Sequence, residues 1–335
     1  MDLEEKVGQM FFVRCPELFA KEKISQYQLG GYLLFSRDFQ GKDEQQVIDM
    51  INAYQAEATI PLLIGADEEG GTVVRLSRNN RLFPEKFKSP QALYSTGGLE
   101  AIQNDALDKS AGLLRYGVNV NFAPVADVST DPADFIYDRA FGQDAATTAE
   151  YVSTVVSAVN GWTFQEESDE KNVKLGSVLK HFPGYGNNVD THTGIAIDNR
   201  PYEQFEQSDF LPFRSGIEAG AGAVLVSHNI VNCMDPDFPA SLSAGVHRIL
   251  RDELNFNGVI LTDDLAMDAV EAYAADGSVA VLAVLAGNDM IVTTDFEAQI
   301  PLVIDAVRAG LIDETMLDEA VTRVLSWKYD LGLLQ

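Results

Sequence analysis

Short apolar runs alternate with amphipathic stretches from one end of the chain to the other. The apolar runs fall at residues 7–14, 31–36, 62–67, 118–127, 173–181, 222–228, 257–263 and 287–294. They are rich in Val, Ile, Leu and Phe without strict alternation, the pattern of parallel strands covered on both faces. Helical spacing lies between them. Residues 43–58 put Val47, Met50, Ile51 and Tyr54 on one face, and 99–116 put Ile102, Ala106, Leu113 and Leu114 on one face. Segments 204–219, 244–254 and 266–286 read the same way, and 314–331 predicts a closing helix. Eight strands separated by helices predict an α/β fold, a (β/α)8 TIM-type barrel, with residues 1–335 as a single domain. A doubly wound sheet would have fewer strands.

The barrel expectation carries a test, because the active sites of such barrels lie at the C-terminal ends of the strands. The apolar runs end in Arg14, in Ser36-Arg37-Asp38, in Asp67-Glu68-Glu69, in Asp127 and in Lys180-His181. The later ones end in Ser227-His228-Asn229, Asp263-Asp264 and Thr293-Thr294-Asp295. Each alone reads as a solvated turn. Gathered on one rim, they suit acid/base and nucleophilic chemistry. Three of the four histidines fall at these strand ends or in the loops that follow them, while His247 lies in a helical pattern and is expected at the surface.

Composition is ordinary for a globular chain, with 46% hydrophobic and 22% charged residues. The net charge of −27 repels phosphate backbones and anionic lipid, which argues against nucleic acid as a partner. No apolar run is long enough to insert in a membrane. Cys15 and Cys233 have no metal-like spacing and are expected to be two buried small side chains. No metal or other cofactor is expected. The start, MDLEEKVGQMFFV, lacks the marks of a signal peptide. That fits a cytoplasmic protein if the chain is complete and an exported one if a leader was trimmed.

Asp263 closes the run GVILTD, where a buried strand would hold a carboxylate rigidly enough to attack. Adjacent strand residues point opposite ways, so Asp264 is expected to turn from the pocket and to cap or orient the helix that follows. The segment 180–196, KHFPGYGNNVDTHTGIA, reads as a loop in which Asp190 and His192 share a side. A carboxylate can there hold an imidazole that protonates a leaving oxygen. A loop histidine with a chance acidic neighbour is the plainer alternative.

The order of motifs resembles glycoside hydrolase family 3, and within it the single-domain β-N-acetylglucosaminidase branch. The resemblance runs through MDLEEKVGQMF, GADEEGGTVVRL, NVNFAPVADV with DRAFGQD, KHFPGYGNNVDTH, the region ending GVILTDDLAM, and AGNDMIV. It implies Asp263 as nucleophile, Asp190 and His192 as the acid/base dyad, and Asp67, Arg139, Lys180 and His181 as holders of the sugar hydroxyls. Family members acting on glucosides commonly take their acid/base from a second domain, so the dyad points to the hexosaminidase branch. Tyr185 stands where the family has His, Asn187 where Asp is common, and Thr72 where Arg is common. Residues 128–138, VSTDPADFIYD, depart from the family's Asn-rich form.

The expectation is therefore a retaining exo-β-N-acetylhexosaminidase acting on a small oligosaccharide or glycopeptide. The alternatives are a β-glucosidase or β-xylosidase of the same family, and a catalytically silent sugar-binding protein. The aglycone, the choice of water or phosphate as acceptor, and the oligomeric state stay open.

Overall fold

The eight apolar runs form eight parallel strands in a computed structural model, which describes residues 1–165, 172–190, 194–271, 273 and 278–334. They are β1 (Phe11–Arg14), β2 (Gly31–Leu34), β3 (Leu63–Ala66) and β4 (Val120–Asn121). The second half holds β5 (Gly176–Phe182), β6 (Ala223–Val226), β7 (Val259–Thr262) and β8 (Ile291–Thr293). Each pairs with its chain neighbour, and β8 returns to β1 through Phe11–Ile291, Phe12–Val292 and Val13–Thr293. A parallel bridge between Leu261 and Met290 joins β7 to β8 and completes the ring. The fold is the expected (β/α)8 barrel.

Alternate side chains of the strands fill the interior. Phe12, Leu33, Leu63, Phe122, Val178, Leu225, Leu261 and Val292 form one buried cluster there. Below it the helix Glu314–Asp330 closes the N-terminal mouth with Trp327. Gly176 and Gly222 leave the room: a Cβ on them would lie 2.8 and 2.3 Å from the Trp327 indole. A second, outer shell packs the strands against the helices.

The periodic segments 43–58 and 314–331 match helices Glu44–Glu57 and Glu314–Asp330 closely, and 244–254 matches the α-helix Ala244–Arg248 continued by the π-helical turn Ile249–Glu253. The segment 99–116 is the later part of Pro90–Arg115, which breaks at Gly98 with φ 60°. Residues 266–286 contain two helices, Asp268–Glu271 and Val279–Ala286. Helix Ala145–Asn160 carries seven Val and Thr residues, whose local preference is extended, yet Asp144 caps it and Thr148, Tyr151, Val152, Val156 and Val159 are buried.

Two expectations are overturned. His247 is buried, because its face of the helix packs beside Gly287, and its Nδ1–H donates to the Ser243 carbonyl at 2.7 Å. Cys233 is exposed, on the turn that follows the short strand Ile230–Val231, whereas Cys15 is buried as expected. Burial pushes the Cys15 thiol up to about 12, so it is inert at neutral pH.

Candidate active site

The rim of the barrel gathers its charges through the segment after β3. Glu68 turns into the protein, where its carboxylate accepts the backbone N–H groups of Arg75 at 2.9 Å and Leu76 at 2.8 Å and contacts the Ser77 hydroxyl. Burial raises its carboxyl. The chain can fold back this tightly because Gly70 has φ 100° and the Lys88 carbonyl would lie 2.1 Å from any Cβ there. The fold-back brings Arg75 to Asp67 at 2.9 Å.

Asp67 and Glu69 then flank Lys180 from β5, with its Nζ 2.8 Å from one carboxylate and 2.6 Å from the other. Burial alone would raise Asp67, but Lys180 and Arg75 outweigh it and hold the carboxyl well below the ordinary range. Glu69 behaves alike. Burial opposes Arg139 and Lys180, and the two cations win, placing it at about 2. Arg139 holds Glu69 with Nε at 3.0 Å and Nη2 at 2.7 Å.

Arg139 Nη2 also lies 3.1 Å from His181 Nε2. A guanidinium can only donate, so Nε2 is the acceptor and the ring proton sits on Nδ1. Nδ1 then donates to Asp127 at 2.7 Å. Asp127 further accepts the backbone N–H of His181 at 3.1 Å and of Tyr185 at 2.7 Å, which ties the following loop to β5. Regular pairing of β5 with β6 is interrupted between Leu179 and Phe182, the stretch that carries Lys180 and His181. Tyr185 is buried, with its ring 5.5 Å from the His181 ring, and it packs with Val125 and Ile136. Phe135 lies 5.6 Å from it. Two departures from the family pattern, Tyr185 and the segment 128–138, are thus one packing unit.

Asp263 lies just past β7, half-buried, with Oδ1 accepting the Asp264 backbone N–H at 2.8 Å. Asp264 does not turn away as strand alternation predicts, because β7 ends at Thr262; both carboxylates line the cleft. Nor does Asp264 cap a helix at Leu265. It accepts the Ala266 N–H at 3.0 Å and the Thr294 hydroxyl at 3.1 Å, and the helix begins at Asp268. His228 is buried and donates from Nε2 to the Asp264 carbonyl at 3.0 Å, fixing this turn.

The structure brings Asp67, Arg139, Lys180, His181 and Asp263 into one cleft of about 290 Å³. Arg14, Phe35, Arg75, Asp264 and Met267 share its lining. Asp190 is half-buried and lies outside the described lining. His192 lies outside the described residues. Gly184 and Gly186 leave room for the Asp209 and Arg200 side chains, which a Cβ would approach to 2.3 and 2.6 Å, and Arg200 ion-pairs with Asp198 at 2.8 Å and Asp209 at 2.9 Å. Sequence reasoning missed Glu69 and Arg75 as site residues. The period-two spacing of Asp67 and Glu69 was the available signal for the first. For Arg75 the only signal was its place in the motif GADEEGGTVVRL, since its approach to Asp67 depends on the Glu68 fold-back. Among the described residues no group of three or more His, Cys, Asp or Glu side chains is placed to hold a metal ion.

Known proteins share this architecture. A curated relative from Xanthomonas oryzae pv. oryzae named Beta-hexosaminidase is 33% identical over 266 residues, covering 78% of this chain and 75% of its own. One of the same name from Nitrosomonas eutropha is 31% identical over 279 residues, covering 80% of this chain and 74% of its own. The family 3 β-N-acetylglucosaminidase of Paenibacillus sp. matches with a TM-score of 0.87 at 29% identity, over 99% of this chain and 63% of that one. The β-N-acetylhexosaminidase of Beutenbergia cavernae matches at 0.84 and 29% identity, over 98% and 99% of the two chains. The present chain therefore spans about three quarters of those curated relatives and less than two thirds of the Paenibacillus chain. Residues 2–327 match the family described as Glycosyl hydrolase family 3 N terminal domain, and the chain belongs to that family.

Proposed function

We propose that the chain is an exo-acting β-N-acetylhexosaminidase that releases terminal β-linked N-acetylglucosamine with net retention. The observation that carries this reading is the pairing across the barrel mouth. Asp263 follows β7, and the Asp67–Lys180–Glu69–Arg139 network follows the opposite strands β3 to β5. The network presents fixed charges to hydroxyl groups, and the carboxylate faces the same cleft. A volume of about 290 Å³ sits at the lower end of small-molecule sites, which suits one pyranose ring. The names of the relatives support the amino sugar.

In the proposed reaction the Asp263 carboxylate attacks the anomeric carbon. The bond to the leaving oxygen breaks as His192, oriented by Asp190, gives that oxygen its proton. The product is a glycosyl ester on Asp263. In the second step the neutral imidazole takes a proton from water, whose oxygen attacks the anomeric carbon and frees the carboxylate. Lys180, His181, Asp67 and Arg139 hold the sugar through both steps, and positions fixed beforehand need no rearrangement as charge develops.

The test is release of nitrophenol from 4-nitrophenyl N-acetyl-β-D-glucosaminide by the native chain, Asp263→Asn and His192→Ala, with and without phosphate. Turnover by the native chain alone, and faster than on the glucoside and xyloside, is expected. Faster release from a glucoside would move the specificity, and a phosphate requirement would replace water in the second step. Silence on every glycoside would leave a sugar-binding protein.

A further inference from the structure

The cations of the cleft are not equally satisfied. Arg75 is matched by Asp67, Lys180 by Asp67 and Glu69, and Arg139 by Glu69. Arg14, at the end of β1 in the same cleft, ion-pairs with no carboxylate among the described residues. Its Nε is buried with no hydrogen-bond partner. Asp38 is near enough to feel its charge, yet that carboxylate is engaged by the Phe35 N–H at 2.7 Å and by Arg37 at 3.7 Å. That nitrogen is shut off from solvent, so an acceptor entering the cleft meets the guanidinium at its two Nη groups.

Arg14 is nevertheless held. Its guanidinium stacks on the Phe35 ring at 4.4 Å, and Arg75 lies over the same ring at 4.9 Å. Stacking fixes the plane of the fork while leaving its N–H groups for an acceptor. Cations outnumber carboxylates along the lining, with Arg14, Arg75, Arg139 and Lys180 against Asp67, Asp263 and Asp264. A second depression shares Arg75 with the cleft, and its lining includes Arg78, Asn79 and Arg81 but no carboxylate. On a chain of net charge −27 this is a local inversion of the field.

We infer that Arg14 binds an anionic substituent, a carboxylate or a phosphate, carried by the substrate. The inference rests on the sugar-binding reading of the cleft and narrows its substrate class to acidic saccharides. A planar guanidinium grips such a group through two parallel N–H donors, which a lysine cannot reproduce.

The test is calorimetric titration of the native chain, Arg14→Gln and Arg14→Lys with three sugars. These are N-acetylglucosamine, its 6-phosphate, and N-acetylmuramic acid with its lactyl carboxylate. At least one acidic sugar is expected to bind native protein about tenfold or more tighter than the neutral one. That ratio falls to near one in Arg14→Gln and is partly kept in Arg14→Lys, and the tighter acidic sugar identifies phosphate or carboxylate. Equal binding of neutral and acidic sugars by native protein, no binding of either acidic sugar, or a preference that survives Arg14→Gln overturns the inference. Turnover of the neutral nitrophenyl glycoside without acidic preference sinks this inference alone. Acidic preference without turnover of any glycoside sinks only the hydrolase reading.

Discussion

Lys180→Met removes one ammonium and keeps most of the side-chain volume. The lysine is almost wholly buried and bridges Asp67 at 2.8 Å and Glu69 at 2.6 Å. Removing one partner from a buried ion pair costs about 3–5 kcal/mol. Here Arg75 still faces Asp67 and Arg139 still faces Glu69, so the loss falls at the low end, about 3 kcal/mol. The pH dependence gives a sharper signature. Glu69 is depressed from 4.5 to about 2, so its contribution is full above 4.5 and is lost as pH falls toward 2. Asp67 is shifted in the same direction by the same lysine. Without Lys180 both carboxyls move up, and the acid loss of stability begins at higher pH. For catalysis, a hydrogen bond from a charged group contributes about 1.5–3 kcal/mol, which predicts a roughly 10- to 150-fold fall in kcat/KM. Urea unfolding from pH 3 to 8 and nitrophenyl glycoside kinetics measure both. A kcat/KM within threefold of native together with an unmoved acid limb would refute the reasoning.

Two further outcomes test the frame beneath the site. Lys328 is fully buried with Gln9 Oε1 at 2.6 Å, and burial lowers its ammonium from 10.5 to about 7. The folded state then holds fewer protons than the unfolded between those values, so stability rises with pH from about 7 to 10.5 and Lys328→Met removes that slope in urea titrations. Gly222→Ala sets a Cβ 2.3 Å from the Trp327 ring nitrogen, so a loss of about 1–3 kcal/mol is expected in thermal or urea unfolding. A neutral result at Gly222 would mean that the closing helix does not plug the barrel.

Much of this was legible from spacing alone. Strands covered on both faces are apolar throughout, so all eight runs stand out, and the polar residue that ends each run marks the rim. Asp263, Lys180 and Asp67 are visible for that reason. Helix Ala145–Asn160 was not, because its buried face is built from Val and Thr, whose local preference is extended and which only packing makes helical. His247 and Asp264 failed for a related reason. Where a helix meets its neighbour, and where a strand stops, are decided by contacts distant in the chain.

The sequence by itself determined the barrel, the family resemblance and the candidate catalytic side chains, since these depend on periodicity and on residue types in local order. Only the tertiary structure decided who neutralises whom. Arg75 reaches Asp67 because Glu68 is bound by the backbone of its own loop, and Asp127 sets the proton on His181 Nδ1 across 54 residues of chain. Arg14, in the same cleft, ion-pairs with no carboxylate among the described residues, although it ends its apolar run just as Asp67 and Lys180 end theirs. Charges act through space over a few ångströms, and that distance is set by folding, not by spacing along the chain.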